Sequence, residues 1–208
     1  MKPIKLLVLF AVMLAPGLAS AQYYGGGYGG GGYSGGGGWD HFHNRMGRLA
    51  WGFSVGLGGI HDDGSGLTSC DNCSNAVAFE ADAHLGGMLS PRFGLMFEGQ
   101  INGRTVHSDA LNGDTVLTQN TAMIAGQYWI LPMLWVKAGI GVAGLEADNA
   151  YVTYDYGTGA AVMGAIGVEV LSARFFAVDL QARVIDGIYN SGDDHITAGT
   201  VGVGLNWY

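Results

Sequence analysis

Charge is scarce in this chain. Charged residues fill 12% of its 208 positions, about half the share of a soluble domain. Basic residues are the scarcer kind, 9 Lys and Arg against 17 Asp and Glu, for a net charge of −8. A surface that short of positive charge excludes nucleic acid as a partner. Long apolar runs are lacking too. Past the N-terminal stretch nothing approaches about 18 consecutive apolar residues, so no helix of the remaining chain spans a bilayer. Cysteine is confined to Cys70 and Cys73. A zinc ribbon needs a second C-x-x-C pair, and a thioredoxin-like redox site needs a helix N-terminus in a suitable fold; neither is found. In an oxidising compartment the pair is expected to form a disulfide pinning a loop tip, with a modest entropic gain because the ring is tiny.

Apolar content is nonetheless high, 49% of the chain, together with 38 Gly. Much apolar content without long runs is what a membrane barrel requires, since only alternate residues of each strand face lipid. The N-terminus reads as an export signal over 1–21: basic Met1-Lys2-Pro3-Ile4-Lys5, apolar Leu6 to Leu14, and the small-x-small Ala19-Ser20-Ala21 before a cut at Gln22. No Cys follows the cut to carry a lipid anchor. Residues 22–47 open with Gly tracts punctuated by Tyr23, Tyr24, Tyr28 and Tyr33. Such a segment buries no core and is expected to be a disordered periplasmic tether. The barrel domain is then 48–208.

From Leu49 onward turn signals recur at hairpin intervals and no helical period competes. The first strand, Leu49 to Ile60, sets Leu49, Trp51, Phe53, Val55 and Leu57 against Ala50, Gly52, Ser54, Gly56 and Gly58. The second, Ala76 to Met88, sets Val77, Phe79, Ala81, Ala83 and Leu85 outward. The third sets Phe93, Leu95, Phe97 and Ile101 outward, the fifth Leu134, Val136, Ala138, Ile140 and Val142, and the seventh Phe176, Val178, Leu180, Ala182 and Val184. The fourth, about Thr115 to Trp129, alternates too poorly for its faces to be assigned, and the sixth is placed at Ala160 to Val170. The last sets Val201, Val203, Leu205 and Trp207 on one face, and in a closed barrel it pairs with the first so that no edge remains. Short turns are expected at Ser90-Pro91-Arg92, Leu131-Pro132-Met133 and Leu171-Ser172-Ala173. Longer outer loops are expected at His61 to Asn75, His107 to Asp114, Glu146 to Gly157 and Ile188 to His195.

The exported chain, the roughly eight alternating segments, the Lys137-Ala138-Gly139-Ile140-Gly141 strand and the terminal aromatic resemble the small OmpA/OmpX-like and opacity-type outer-membrane barrels. The resemblance implies an all-β fold, one transmembrane antiparallel up-and-down barrel of about eight strands. It also implies residence in the outer membrane, with no cofactor. The implied partners are outer-membrane lipid and lipopolysaccharide, the barrel-assembly machinery acting on the C-terminal strand, and a surface ligand at the loops. In that family the terminal aromatic belongs to the outward set. Here Trp207 keeps that phase and Tyr208 is one step out, which predicts either an aromatic pair lying at the interface or a bulged strand end.

The inward phase gathers Glu80, Asp82, Glu98, Glu169 and Asp179 with Lys137, Arg104 and Arg183, and His84 between them. Unpaired charge is costly in a narrow lumen, so a salt-bridged network is expected. It reads either as a structural plug or, as proposed for OmpA-like barrels, as a narrow gated pore opened by exchange of partners at Lys137 or Arg183. Arg45, Arg48, Arg92 and Arg174 are expected at the periplasmic end. Three acidic outer loops pair carboxylate with imidazole, through His61, Asp62 and Asp63, His107 and Asp109, and Asp194 and His195. Those donors suit zinc, copper or nickel, which makes a loop metal site an alternative. A lipid A-modifying enzyme is a further alternative on the residue types of His107, Ser108 and Asp109. Neighbouring strand residues point to opposite faces, however, so one could not readily serve the other. The favoured expectation is a non-catalytic barrel with an envelope-structural or surface-interaction role.

Overall fold

The computed structural model describes residues 45–63, 77–108, 113–148, 153–173, 175–189 and 194–208, and every regular element among them is a strand. These are β1 (Leu49–Asp63), β2 (Ala78–Met88), β3 (Phe93–Ser108), β4 (Gly113–Trp129), β5 (Leu134–Asp148), β6 (Thr153–Ser172), β7 (Phe176–Tyr189) and β8 (Asp194–Trp207). Each pairs antiparallel with its sequence neighbours, and β8 pairs with β1, so the sheet closes into an eight-stranded barrel. The closing seam runs from Trp51↔Trp207 to Asp63↔His195 without a slip. Closure satisfies the backbone of both end strands, which an open sheet would leave exposed.

The period of two sorts side chains between lumen and exterior as expected on β1, β2, β3, β5, β7 and β8; on β7, for instance, buried and exposed residues alternate from Phe176 to Tyr189. On β4 the inward residues are Thr115, Leu117, Gln119, Thr121, Met123, Ala125, Gln127 and Trp129, all buried. The inner face of β4 mixes apolar with polar, which is why its pattern could not be read.

The base of the barrel carries the short turns, and the rim is the opposite end. Three expected outer loops begin and end in strand among the described residues. His107 pairs with Asp114, Glu146 with Asp155, and Ile188 with His195. β6 likewise begins at Thr153 and ends at Ser172, beyond both expected limits. Polar residues looked like loop in sequence, yet a ladder above the apolar belt tolerates them on its outer face. One register shift near the rim, between Leu145 and Glu146, is taken up by Gly157 at φ 93°, which a side chain would strain. The second lies at the base, between Glu169 and Leu171. The export signal, the tyrosines of the tether, Arg174 as a side chain, and Cys70 and Cys73 with their expected disulfide lie outside the described residues.

Candidate functional site

Among the described residues the lumen holds a dense group of buried charges, and its contents fall into three tiers. The middle tier is built on Arg183 of β7. Its guanidinium lies 3.2 Å from Glu80, 2.9 Å from Asp82 and 2.6 Å from Glu98, reaching from β7 to β2 and β3. It also donates to Gln100 at 2.9 Å. Lys137 of β5 takes the other oxygen of Glu98 at 2.9 Å. Ser54 donates to Asp82 and Thr200 to Glu80, while His84 Nδ1 lies 3.4 Å from Asp82. All these charged side chains are buried. Burial of charge costs several kcal/mol per ion, and pairing with dense hydrogen bonding is what offsets it.

Two carboxylates expected in this network sit apart from it, at the base. Glu169 of β6 pairs with Arg45 at 2.7 Å and accepts hydrogen bonds from Trp129 Nε1 at 2.8 Å and Tyr208 Oη at 3.4 Å. The Arg45 guanidinium stacks over the Tyr208 ring at 4.3 Å and the Trp129 ring at 5.1 Å. Asp179 accepts from Asn206 at 2.7 Å and from Trp135 Nε1 at 3.1 Å. Ala50, Met88, Met96, Trp129 and Trp135 fill the space around them. Arg45 therefore belongs to the barrel lumen and not to a solvated periplasmic edge. Tyr208 corrects the second expectation: Trp207 stays outward, stacked on Trp51 at 4.2 Å, and Tyr208 simply keeps the inward phase. Neither a bulge at that end of β8 nor a flat-lying pair forms.

The rim tier is apolar. Ile60, Leu117, Met123, Leu145, Met163, Ile185 and Ile196 pack there among alanines, with Tyr189. One polar thread crosses it, from Gln100 to Asn102 to Gln119 and on to the Tyr189 hydroxyl. Arg104 departs from the expected ion network and donates instead to the Ile60 carbonyl at 2.8 Å.

The register brings some of the expected metal ligands to the β1–β8 seam and leaves His107 elsewhere. Asp63 lies opposite His195 on the seam and His61 opposite Thr197, whereas His107 lies on β3, opposite Asp114 of β4. Asp62 lies opposite Ile196 and Asp194 opposite Tyr189, while Asp109 lies outside the described residues. Among the described residues no three His, Cys, Asp or Glu side chains form a metal-ligand group. A contact missed in the sequence joins Asp186 to His195 at 3.1 Å and to Thr197 at 3.0 Å on the outer face near the rim. The signal available was the shared outward phase of all three, but which β7 residue meets which β8 residue depends on register.

No protein-family model matches the sequence, and no curated protein matches it either. Solved structures do resemble its fold. The attachment invasion locus protein Ail of Yersinia pestis, in complex with the heparin analogue sucrose octasulfate, superposes with a TM-score of 0.50 at 10% identity, over 76% of this chain and 99% of that one. Neisserial surface protein A gives 0.54 at 10% identity, over 76% of this chain and 95% of that one. The fold is that of the small eight-stranded outer-membrane barrels.

Proposed function

We propose that this chain is a non-catalytic outer-membrane barrel with a plugged lumen, serving the envelope as structure or through contacts at its rim. The observation that carries the reading is the rim tier. A gated pore driven by exchange of partners at Lys137 would have to wet a tier that is apolar apart from the Gln100–Asn102–Gln119–Tyr189 thread, whose amides are already hydrogen-bonded, and a narrow, mostly hydrophobic constriction stays dry. Side chains fill a barrel of this strand number. Outside, exposed Val55, Leu57, Phe97, Ile140, Leu180 and Val201 form the apolar surface that lipid covers and water would not.

The rim favours a cationic partner over an anionic one. Glu146, Asp148, Asp155 and Asp186 are its described carboxylates, and Arg104, the described arginine nearby, is turned onto a backbone carbonyl. A polyanion such as the sucrose octasulfate carried by Ail would meet repulsion here.

Protein reconstituted into planar bilayers is expected to give no discrete channel openings, and Lys137→Ala is expected to be equally silent. Unitary openings in the unaltered protein, or their appearance in Lys137→Ala, would replace the plug with the gated pore.

A further inference from the structure

Hairpin turns that face water are usually built from Gly, Asn, Asp, Ser and Pro. The base turns of this barrel set large apolar residues beside Ser90, Pro91, Pro132 and Ser172 of that set. Leu89 is 61% exposed, Leu131 53%, Met133 48%, Leu171 51% and Phe175 58%, so at least one large apolar side chain is exposed in or beside each base turn. We propose that these turns are a lipid-binding surface, lodged at the boundary between acyl chains and headgroups of the inner leaflet. The proposal rests on the membrane reading above and extends it to a surface that reading does not cover.

Three observations support it. The first is height. Outward apolar residues run from Leu49 to Leu57 on β1, Leu134 to Val142 on β5 and Phe176 to Val184 on β7, before polar His61, Glu146 and Asp186 take over. At the usual strand rise and tilt such a run spans about 20 Å, short of the apolar band of about 25 Å that these barrels present. The runs begin at the turns, so apolar turn residues extend the band at the base, while uncharged Gly59 and Gly144 continue β1 and β5 toward the rim.

The second is the backbone. In one turn Leu89 and Ser90 donate to the Phe93 carbonyl at 2.9 and 3.1 Å. In the next, Ile130 and Leu131 donate to Leu134 at 2.9 and 3.2 Å, and Leu134 donates back to Leu131 at 3.2 Å. Pro91 and Pro132 carry no N–H at all. Turns wired in this way shed little hydrogen bonding on leaving water, which is the condition for entering a lipid boundary.

The third is charge. The described turn residues at the base include Arg48 and Arg92 and no carboxylate. Apolar tips flanked by arginine match anionic headgroups above acyl chains. Continuity with the outward apolar belt separates this surface from a protein-docking patch, because the leaflet that covers Leu95 and Leu49 already reaches the turns.

The test places nitroxide labels one at a time at Leu89, Leu131, Phe97 and Thr105, each changed to Cys in a Cys70→Ser, Cys73→Ser chain. The barrel is reconstituted in vesicles of phosphatidylethanolamine and phosphatidylglycerol. Collision with oxygen is then compared with collision with a water-soluble nickel chelate. Leu89 and Leu131 labels are expected to favour oxygen, as Phe97 in the belt does, and Thr105 near the rim to favour nickel. Turn labels as open to nickel as Thr105, with Phe97 still shielded, would overturn the inference and leave the membrane reading standing. A Phe97 label open to nickel would overturn the membrane reading and the inference with it.

Discussion

Glu169 takes three partners at the base, and one of them, Arg45, comes from before the first strand. The two residues are separated by 124 positions, so nothing local in the sequence marks Arg45 as different from Arg48 or Arg92. Removing one partner of a buried pair strands the other charge, and Arg45→Ala is expected to cost about 3–5 kcal/mol of stability. A denaturant titration of the barrel refolded into lipid reads this as an earlier midpoint. Arg45→Met combined with Glu169→Gln should recover most of the loss, since neutral side chains of similar volume carry no stranded charge. A midpoint unmoved in Arg45→Ala would mean that the guanidinium stays in water.

Strand β1 shows how much the barrel asks of small residues at its seam. A Cβ on Gly58 would collide with the Gly199 carbonyl oxygen of β8, whereas one on Gly199 would meet nothing within 4 Å. Gly58→Ala is therefore expected to cost about 1–3 kcal/mol, as an overpacked site does, and Gly199→Ala close to nothing. Equal midpoints for the two variants would contradict the seam geometry. Elements of this kind were legible where one face was uniformly apolar and the other small or polar, as in β1, β2 and β7. They were illegible in β4, whose lumen face carries Leu117, Met123 and Trp129 beside Gln119 and Gln127. The rim ends of β3 to β8 were hidden for a different reason. Asp114, Asp148 and Asp155 suit loops by composition, and only pairing across the hairpin reveals them as strand. For the candidate site, phase alone placed Glu80, Asp82, Glu98, Lys137 and Arg183 in the lumen. It could not say that Glu169 and Asp179 would form a separate group, because height along the axis depends on the stagger between strands.

At the largest scale the described barrel is a ring of strands adjacent in sequence with one exception, the pairing of β1 with β8. That junction brings together residues from opposite ends of the described barrel, and its closure bears the entropy of the largest loop in the fold. The arginine–glutamate pair at the base and the tiers above it can assemble fully only around a completed ring. Trp51 and Trp207 stand at this junction with rings 4.2 Å apart and 6° from parallel, on the lipid side, clear of the lumen. Two indoles held so close share their excited states. A coupled circular-dichroism band from the pair is expected to rise with the last phase of refolding and to vanish in Trp207→Phe. A band that rose with the earliest strand signal would show instead that the two ends meet first. The stacked tryptophans thus give the barrel an optical timestamp for the moment its circle becomes complete.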